Sequence, residues 1–312
     1  MNVLRLFLLG ACALAVTAVA AARPSLGQAE PGAECSQTST ELVPLTDLGK
    51  RRYKGHRGGL YPGGVNEPPR RYLKVGLSSA KRVGRDGEDV ALLSVGMSNA
   101  TQEFQAFIRI ATQDPDVKPS LKLVDGAIGG WDARRMARPR AGYWRALDRR
   151  LAAEGVASRE VQVVWLKQAI SGEDRPFPQD ARALRANLRS IVRILARKFP
   201  NLRLIYTSSR TYAGYAVTAL NPEPAAYDSG FAVRWLVQDR MEKRLRGPWI
   251  GWGPYLWTDG TKGRADGFTW TCDDVRRDGT HPSAAGAAKI ARQLLQFFKS
   301  HPTAKSWFLA TP

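Results

Sequence analysis

The chain of 312 residues contains few of the side chains that most often bind metals or form covalent cross-links. Its three cysteines and three histidines are scattered, so no segment has the spacing of a His/Cys metal site. Beyond residue 22 no stretch is apolar enough to span a bilayer. No internal repeat, low-complexity tract or nucleic-acid module occurs either. These absences exclude a cysteine-rich scaffold, a repeat protein and a multi-span membrane protein, and we expect no metal or cofactor.

The first 22 residues form the one long apolar stretch. Arg5 is followed by an apolar run and then by small alanines just before Arg23, which is typical of a secretory signal peptide. An uncleaved N-terminal anchor is the alternative, because the run approaches the length that a bilayer requires. We therefore expect a secreted, periplasmic or extracellular protein without stable membrane insertion once residues 1–22 are removed.

Two cysteines remain after such processing, because Cys12 lies within the signal segment. Cys35 and Cys272 would then form an even pair in an oxidising compartment. The sequence permits either a disulfide between them or two free thiols, since it does not fix the distance between their backbones.

The charge is strongly basic, with 47 Lys and Arg residues against 28 Asp and Glu residues and a formal net charge of +19. Such a surface favours encounters with anionic partners, among them nucleic acid, acidic polysaccharide and lipid headgroups. The basic residues are dispersed rather than gathered in an arm, so we expect a solvated surface and no nucleic-acid partner. The oligomeric state does not follow from these features.

Residues 23–87 predict an irregular lead-in, because glycine, proline and basic residues crowd it. From residue 88 to the end, short apolar runs alternate with amphipathic segments. The predicted strands are 90–96, 120–126, 161–166, 202–209 and 249–257. The predicted helices are 103–112, 143–155, 180–199 with Asp180 as its cap, 232–246 and 284–300. This alternation predicts an α/β domain over 88–312, with a central parallel sheet covered by helices on both faces.

The loops that follow these strands carry the candidate chemistry, since ligands of such sheets bind beyond the carboxyl ends of the strands. Ser98 follows the first strand, where it could act as a nucleophile or merely cap the next helix. Gly129 and Gly130 follow the second strand and permit either a close backbone approach to a ligand or an ordinary turn. Gln168 follows the third strand and could point an amide into the crevice or face solvent.

Asp278 and His281 lie three residues apart on the loop before the last helix. A serine nucleophile needs a base, and the base needs a group that fixes its tautomer. Pro282 restrains His281 and Ser283 begins the helix, so the pair would be held rigidly. The alternative is a charged loop and a helix cap. The remaining histidines have no comparable acidic neighbour and are expected to be solvated surface residues: His56 and His301.

In this order the motifs resemble those of the SGNH (GDSL-like) hydrolases, a flavodoxin-like three-layer α/β/α superfamily of serine esterases. The likeness covers about residues 88–300, where "SVGMSN", "VDGAIGGWDA" and "DGTHPS" match the first, second and last family blocks. It implies a catalytic triad of Ser98, Asp278 and His281. It also implies an oxyanion hole formed by Ser98 and Gly130, with Gln168 in place of the third block's usual asparagine. A second departure is Met97, where the family has aspartate.

The resemblance implies hydrolysis of esters through an acyl-enzyme, without metal or cofactor. Trp131 and Trp270 could stack on sugar rings, which with export suggests an acetylated polysaccharide as substrate. The alternative is that these tryptophans are core residues. Two other functions stay open: a catalytically silent glycan-binding module on the same fold, and an α/β-hydrolase or lipase-type esterase, since "GMSNA" nearly matches a nucleophile elbow.

Overall fold

Five parallel strands form the central sheet in the computed structural model, which describes residues 32–172 and 175–311 except the Asp86 side chain. The strands are β1 (Arg52–Tyr53), β2 (His56–Arg57), β3 (Ala91–Gly96), β4 (Lys122–Asp125), β5 (Val161–Lys167), β6 (Leu204–Ser208) and β7 (Trp249–Trp252). The sheet order is β4-β3-β5-β6-β7, while β1 and β2 form a separate antiparallel pair. Counted within the sheet this is the 2-1-3-4-5 order of flavodoxin-like folds. The predicted fold class is confirmed.

Helices cover the sheet and give three layers. They are α1 (Leu45–Leu48), α2 (Arg70–Ala80), α3 (Ser98–Ala111), α4 (Ala133–Met136), α5 (Gly142–Ala153), α6 (Gln179–Lys198), α7 (Ala225–Met241), α8 (Ala284–Ser300) and α9 (Lys305–Phe308). Helix α3 packs against α8, and α6 packs against α7. Among the described helices, none combines the length and the hydrophobicity needed to cross a bilayer.

Burial explains why the sheet strands were recognisable. Every residue of β3, β5, β6 and β7 is buried, as expected for parallel strands with helices on both faces. Helix α7 is also buried on nearly all sides, so it lacks the amphipathic period that marks a surface helix. The sequence pattern therefore placed its start seven residues too late, at residue 232.

The lead-in contains a helix that the sequence analysis missed. Helix α2 packs on β7, where the Tyr72 hydroxyl donates to the Ile250 carbonyl at 2.7 Å. Its buried face includes small residues such as Gly76 and Ala80, which leave no clear apolar stripe in the sequence. The prediction of an irregular segment is thus wrong for residues 70–80. The predicted signal peptide, residues 1–22, lies outside the described residues, as does Cys12.

Two further local predictions have different outcomes. Asp180 does not cap α6; it lies in the first turn, and its carboxylate accepts from the Arg175 backbone N–H at 2.8 Å. Ser283 does cap α8, since its Oγ accepts from the Gly286 N–H at 3.2 Å.

Of the two alternatives for the cysteines, the structure shows the disulfide. Cys35 and Cys272 are bonded, with a Cα–Cα distance of 5.4 Å.

Candidate active site

Ser98 lies where β3 ends and α3 begins. Its strand stands between β4 and β5, so the chain leaves β3 at the point where the strand order reverses. In sheets of this kind that reversal opens a crevice beyond the carboxyl ends of the strands. The β3–α3 junction therefore places the Ser98 hydroxyl at the position where this fold binds its ligands.

Ser98, His281 and Asp278 form a continuous hydrogen-bonded chain. The Ser98 Oγ lies 2.8 Å from the His281 Nε2, and the His281 Nδ1 lies 2.5 Å from the Asp278 Oδ2. When the proton of the neutral ring is on Nδ1, it is donated to the carboxylate, and Nε2 is left to accept the serine proton. The arrangement can therefore generate a serine nucleophile.

Backbone contacts hold the Asp278–His281 loop in shape. The second oxygen of Asp278, Oδ1, accepts from the N–H groups of Thr280 at 3.0 Å and His281 at 2.9 Å. Gly279 has φ +63°, and an added Cβ would lie 1.7 Å from the Tyr215 carbonyl oxygen, so only glycine fits there. The loop is also tied to α3, because the Asn99 amide donates to the Thr280 carbonyl at 2.8 Å.

The charge on Asp278 is stabilised by these contacts. Burial by itself would raise the pKa of this carboxyl, but hydrogen bonds from the His281 ring and backbone and from the Thr280 N–H outweigh it and lower the pKa. Asp278 therefore remains ionised around neutral pH. A fixed negative charge beside Nδ1 stabilises the imidazolium that forms when His281 takes a proton.

The backbone N–H groups of Ser98 and Gly130 have no hydrogen-bond acceptor among the described residues. Ser98 is the first residue of α3, and the first N–H groups of a helix lack an intrahelical partner. Gly130 has φ +76°, which favours glycine, and it lines the same cavity as Ser98 and His281. Such unpaired donors can stabilise a developing oxyanion.

Gln168 is not positioned as the third oxyanion donor. Its side chain is 2% exposed, and its Nε2 donates to the Trp131 carbonyl at 2.9 Å and contacts the Met136 sulfur. Its Oε1 accepts from the Ala169 N–H. The amide therefore fastens the loop after β5 to the segment that follows Gly130, and the sequence prediction for Gln168 is corrected accordingly.

The prediction that Trp131 and Trp270 stack on sugar rings is also corrected. Trp270 is 1% exposed and belongs to the core beneath α8, close to Gly286. Trp131 is half-buried, packs near Gly142 and Tyr143, and does not line the cavity at Ser98. The alternative that these rings are core residues thus holds for Trp270, whereas Trp131 packs against the edge of the core.

A cavity of about 320 Å³ opens beside Ser98. Besides Ser98, His281 and Gly130, its lining includes Arg210 and Asn221, neither of which the sequence analysis selected. Both belong to the long loop between β6 and α7. The only available signal was their position after the fourth sheet strand, because neither belongs to a recognisable motif.

The other two histidines are half-buried against aromatic rings, and so they are less solvated than the sequence analysis predicted. His301 stacks on Phe297 with ring centroids 4.7 Å apart. His56 packs among Phe177, Phe231 and Trp235. Within the described part of the chain, no group of three or more His, Cys, Asp or Glu residues could hold a metal ion.

Comparison with known proteins gave structural neighbours but no sequence relatives. No family model and no curated protein matches the chain. One neighbour is an acetylxylan esterase from Geobacillus stearothermophilus, with 18% identity, TM-score 0.41, and coverage of 67% of this chain and 94% of that one. Another is a Streptococcus pneumonia protein provisionally described as a platelet activating factor, with 16% identity, TM-score 0.42, and coverage of 72% and 92%.

Proposed function

We propose that this protein is a serine ester hydrolase whose chemistry resides in residues 88–312. The observation that carries the proposal is the Ser98–His281–Asp278 chain, with contacts of 2.8 Å and 2.5 Å. Ser98 follows the first strand of the parallel sheet, and Asp278 and His281 share one loop. This arrangement disfavours the α/β-hydrolase alternative, in which the acid and the histidine come from separate loops.

The reaction proceeds in two halves. His281 Nε2 takes the Ser98 proton while Oγ attacks the ester carbonyl, and the collapsing tetrahedral intermediate expels the alcohol, which receives that proton from His281. Water then attacks the acyl-enzyme, with His281 again serving as base, and releases the acid and free Ser98. The Ser98 and Gly130 N–H groups stabilise the oxyanion in both halves.

Small acyl esters of carbohydrates are the proposed substrates. A cavity of about 320 Å³ lies at the lower end of the range for small-molecule sites and suits an acetyl group with one sugar ring. Export is also proposed, with residues 1–22 as the signal peptide. The Cys35–Cys272 disulfide supports export, because such bonds persist in oxidising compartments.

The decisive test is p-nitrophenyl acetate hydrolysis by the protein beginning at residue 23, compared with the Ser98→Ala variant. We expect kcat to fall by a factor on the order of 10⁴–10⁶, since a triad acts as a unit. Ser300→Ala changes an exposed serine at the end of α8 and serves as the matched control. Equal hydrolysis by the Ser98→Ala variant would refute the proposal.

One observation favours a second function, the silent glycan-binding module. Gln168 is turned away from the cavity, so the amide donor that the family block supplies is absent from its expected place. A fluorophosphonate probe separates the two functions, because it labels an activated serine whether or not the substrate is known. Labelling of Ser98 supports the hydrolase, and no labelling of correctly folded protein supports the binding module.

A further inference from the structure

Arg210 is a buried cation in the wall of the cavity that contains Ser98. The residue is 4% exposed, and its backbone N–H donates to the Ser229 Oγ at 3.0 Å. It lies in the loop that follows β6, two residues beyond the end of the strand. Arg210 thus joins the lining of the cavity from a different loop than the serine and the histidine do.

The Arg210 side chain has no hydrogen bond and no ion pair in the part of the chain that the structure describes, and its Nε is buried without a partner. Removing a guanidinium from water is costly unless an acceptor replaces the lost hydration. Burial lowers the pKa of Arg210, but arginine does not lose its proton in proteins and so cannot escape this cost by becoming neutral. The fold therefore retains an unsatisfied positive charge at the cavity.

Two carboxylates, those of Glu103 and Glu223, lie close enough to interact with the charge of Arg210, but both are committed elsewhere. Glu103 accepts from the Lys167 ammonium at 2.5 Å and 2.6 Å, and both side chains of this pair are almost fully buried. Glu223 accepts from two backbone N–H groups and from the Trp257 indole. Burial raises the pKa of Glu223 to about 7, which weakens its charge near neutral pH. The positive charge of Arg210 is thus left for a ligand.

Asn221 adds a second unsatisfied group to the same wall. Its Oδ1 is buried without a donor, while its Nδ2 makes only a long contact of 3.3 Å with the Ile170 carbonyl. A hydroxyl group is the natural donor for a buried amide oxygen. The planar guanidinium of Arg210 matches a carboxylate in a two-point contact. A sugar acid offers both groups within the size of one ring.

We propose that Arg210 binds the carboxylate of an O-acylated sugar acid and that Asn221 accepts a hydroxyl of the same ring, so that the substrate is an acidic carbohydrate ester. This inference rests on the proposed function of Ser98. The net charge of +19 suits such a polymer, because it raises the encounter rate with anionic chains. Arg210 would then select the substrate within the site.

The test compares two probes, an O-acetylated methyl glucuronoside and the matching neutral methyl glucoside. We expect the wild-type protein to hydrolyse the acidic probe with about 100-fold higher kcat/KM, a ratio typical of a buried charge contact. Arg210→Met should bring this ratio close to one, chiefly by raising KM for the acidic probe. Arg71→Met, at an exposed arginine, lowers the net charge equally and should preserve the ratio.

Several outcomes would overturn the inference. If the wild-type protein hydrolyses the acidic and the neutral probe with nearly equal kcat/KM, Arg210 does not select the carboxylate. The same follows if Arg210→Met lowers kcat equally for both probes. A melting temperature well below that of the wild type would indicate a structural role, because replacing an unpaired buried charge should not destabilise the fold. Stronger inhibition by a sulfated sugar than by the glucuronoside would assign the site to sulfate instead.

Failure of the proposed function would be recognised separately. If Ser98→Ala hydrolyses p-nitrophenyl acetate as fast as the wild type does, the proposed hydrolase function is refuted. This conclusion holds whatever the ratio of kcat/KM for the two sugar probes. Binding of unacetylated methyl glucuronoside and methyl glucoside to Ser98→Ala, measured by calorimetry, then tests the carboxylate site alone. Tighter binding of the glucuronoside that Arg210→Met abolishes would support the site, and equal binding of the two would refute it.

Discussion

Helix α8 is flanked by the same short motif at both ends, yet the two copies serve different purposes. His281-Pro282-Ser283 precedes the helix and His301-Pro302-Thr303 follows it. At the first end, the ring Nδ1 faces the Asp278 carboxylate and the Nε2 faces the Ser98 hydroxyl. At the second end, the His301 Nδ1 accepts from the Thr303 N–H and contacts its hydroxyl at 2.9 Å.

The partners and the burial of each ring account for the difference. His301 is covered by Phe297 and the edge of Tyr206, and burial lowers its pKa to about 4. It is therefore a neutral packing residue at physiological pH. His281 remains partly exposed in the cavity wall, next to a fixed negative charge. A local sequence motif does not define the role of a histidine; the carboxylate three residues earlier does.

Of the changes at the two ends of α8, removal of the Asp278 carboxylate should have the largest effect. Asp278→Asn keeps the side-chain shape but replaces the acceptor of the His281 Nδ1 proton, so the ring can adopt the wrong tautomer. We expect kcat for p-nitrophenyl acetate to fall by about 10⁴-fold. Asp273→Asn changes an exposed aspartate nearby and should leave kcat unaltered. A loss below tenfold on Asp278→Asn would show that Asp278 does not orient the base.

The same contrast explains which residues of the candidate site could be predicted from the sequence. The Asp278–His281 pair was recognisable because both residues lie on one loop and Ser98 follows a clear buried strand. The residues that belong to no recognisable motif were missed or misplaced. Arg210 and Asn221 reach the cavity only through the path of the β6–α7 loop, and Gln168 turns inward because Trp131 and Met136 lie within its reach.

The fold was more predictable than the site for a physical reason. Strands buried on both faces leave continuous apolar runs, and amphipathic helices leave a period of 3.6 residues. Helix α2 escaped detection because part of its buried face is made of small residues, and α7 was placed too late because it is buried nearly all round. Side-chain direction within a loop leaves no comparable trace in the sequence.

A smaller effect should appear at the other end of α8, in the pH dependence of stability. The pKa of His301 is about 4 in the folded protein, below its value of about 6.5 in the unfolded chain. The unfolded state therefore binds a proton first, and stability is lost as the pH falls from 6.5 through 4. The total contribution is about 3 kcal/mol, at about 1.4 kcal/mol for each unit of pKa difference.

Urea denaturation at a series of pH values measures this contribution. His301→Gln should remove most of this loss of unfolding free energy between pH 6.5 and pH 4, while His56→Gln should remove a smaller part of it. Burial and nearby arginines also lower the pKa of His56, but its ring is less deeply buried than that of His301. Identical pH profiles for the wild type and His301→Gln would contradict the buried neutral state of this ring.

The smallest effect concerns the hydroxyl residue that completes the first motif. The Ser283 Oγ accepts from the Gly286 N–H at 3.2 Å and donates to the Asp273 carbonyl at 2.6 Å, so it both caps α8 and joins the helix to the preceding segment. Ser283→Ala should lower the free energy of unfolding by about 1 kcal/mol, the usual value for a lost N-cap.

Activity should change little in Ser283→Ala, because the Asp278 carboxylate and the backbone N–H groups that it binds hold His281 without help from Ser283. At the opposite end of the helix, Ser300 donates only to the Gln296 carbonyl within α8 and remains exposed. Ser300→Ala should therefore cost less than about 0.5 kcal/mol, as is usual for surface substitutions. A fall in kcat of tenfold or more on Ser283→Ala would mean that the helix cap, and not the loop itself, positions His281.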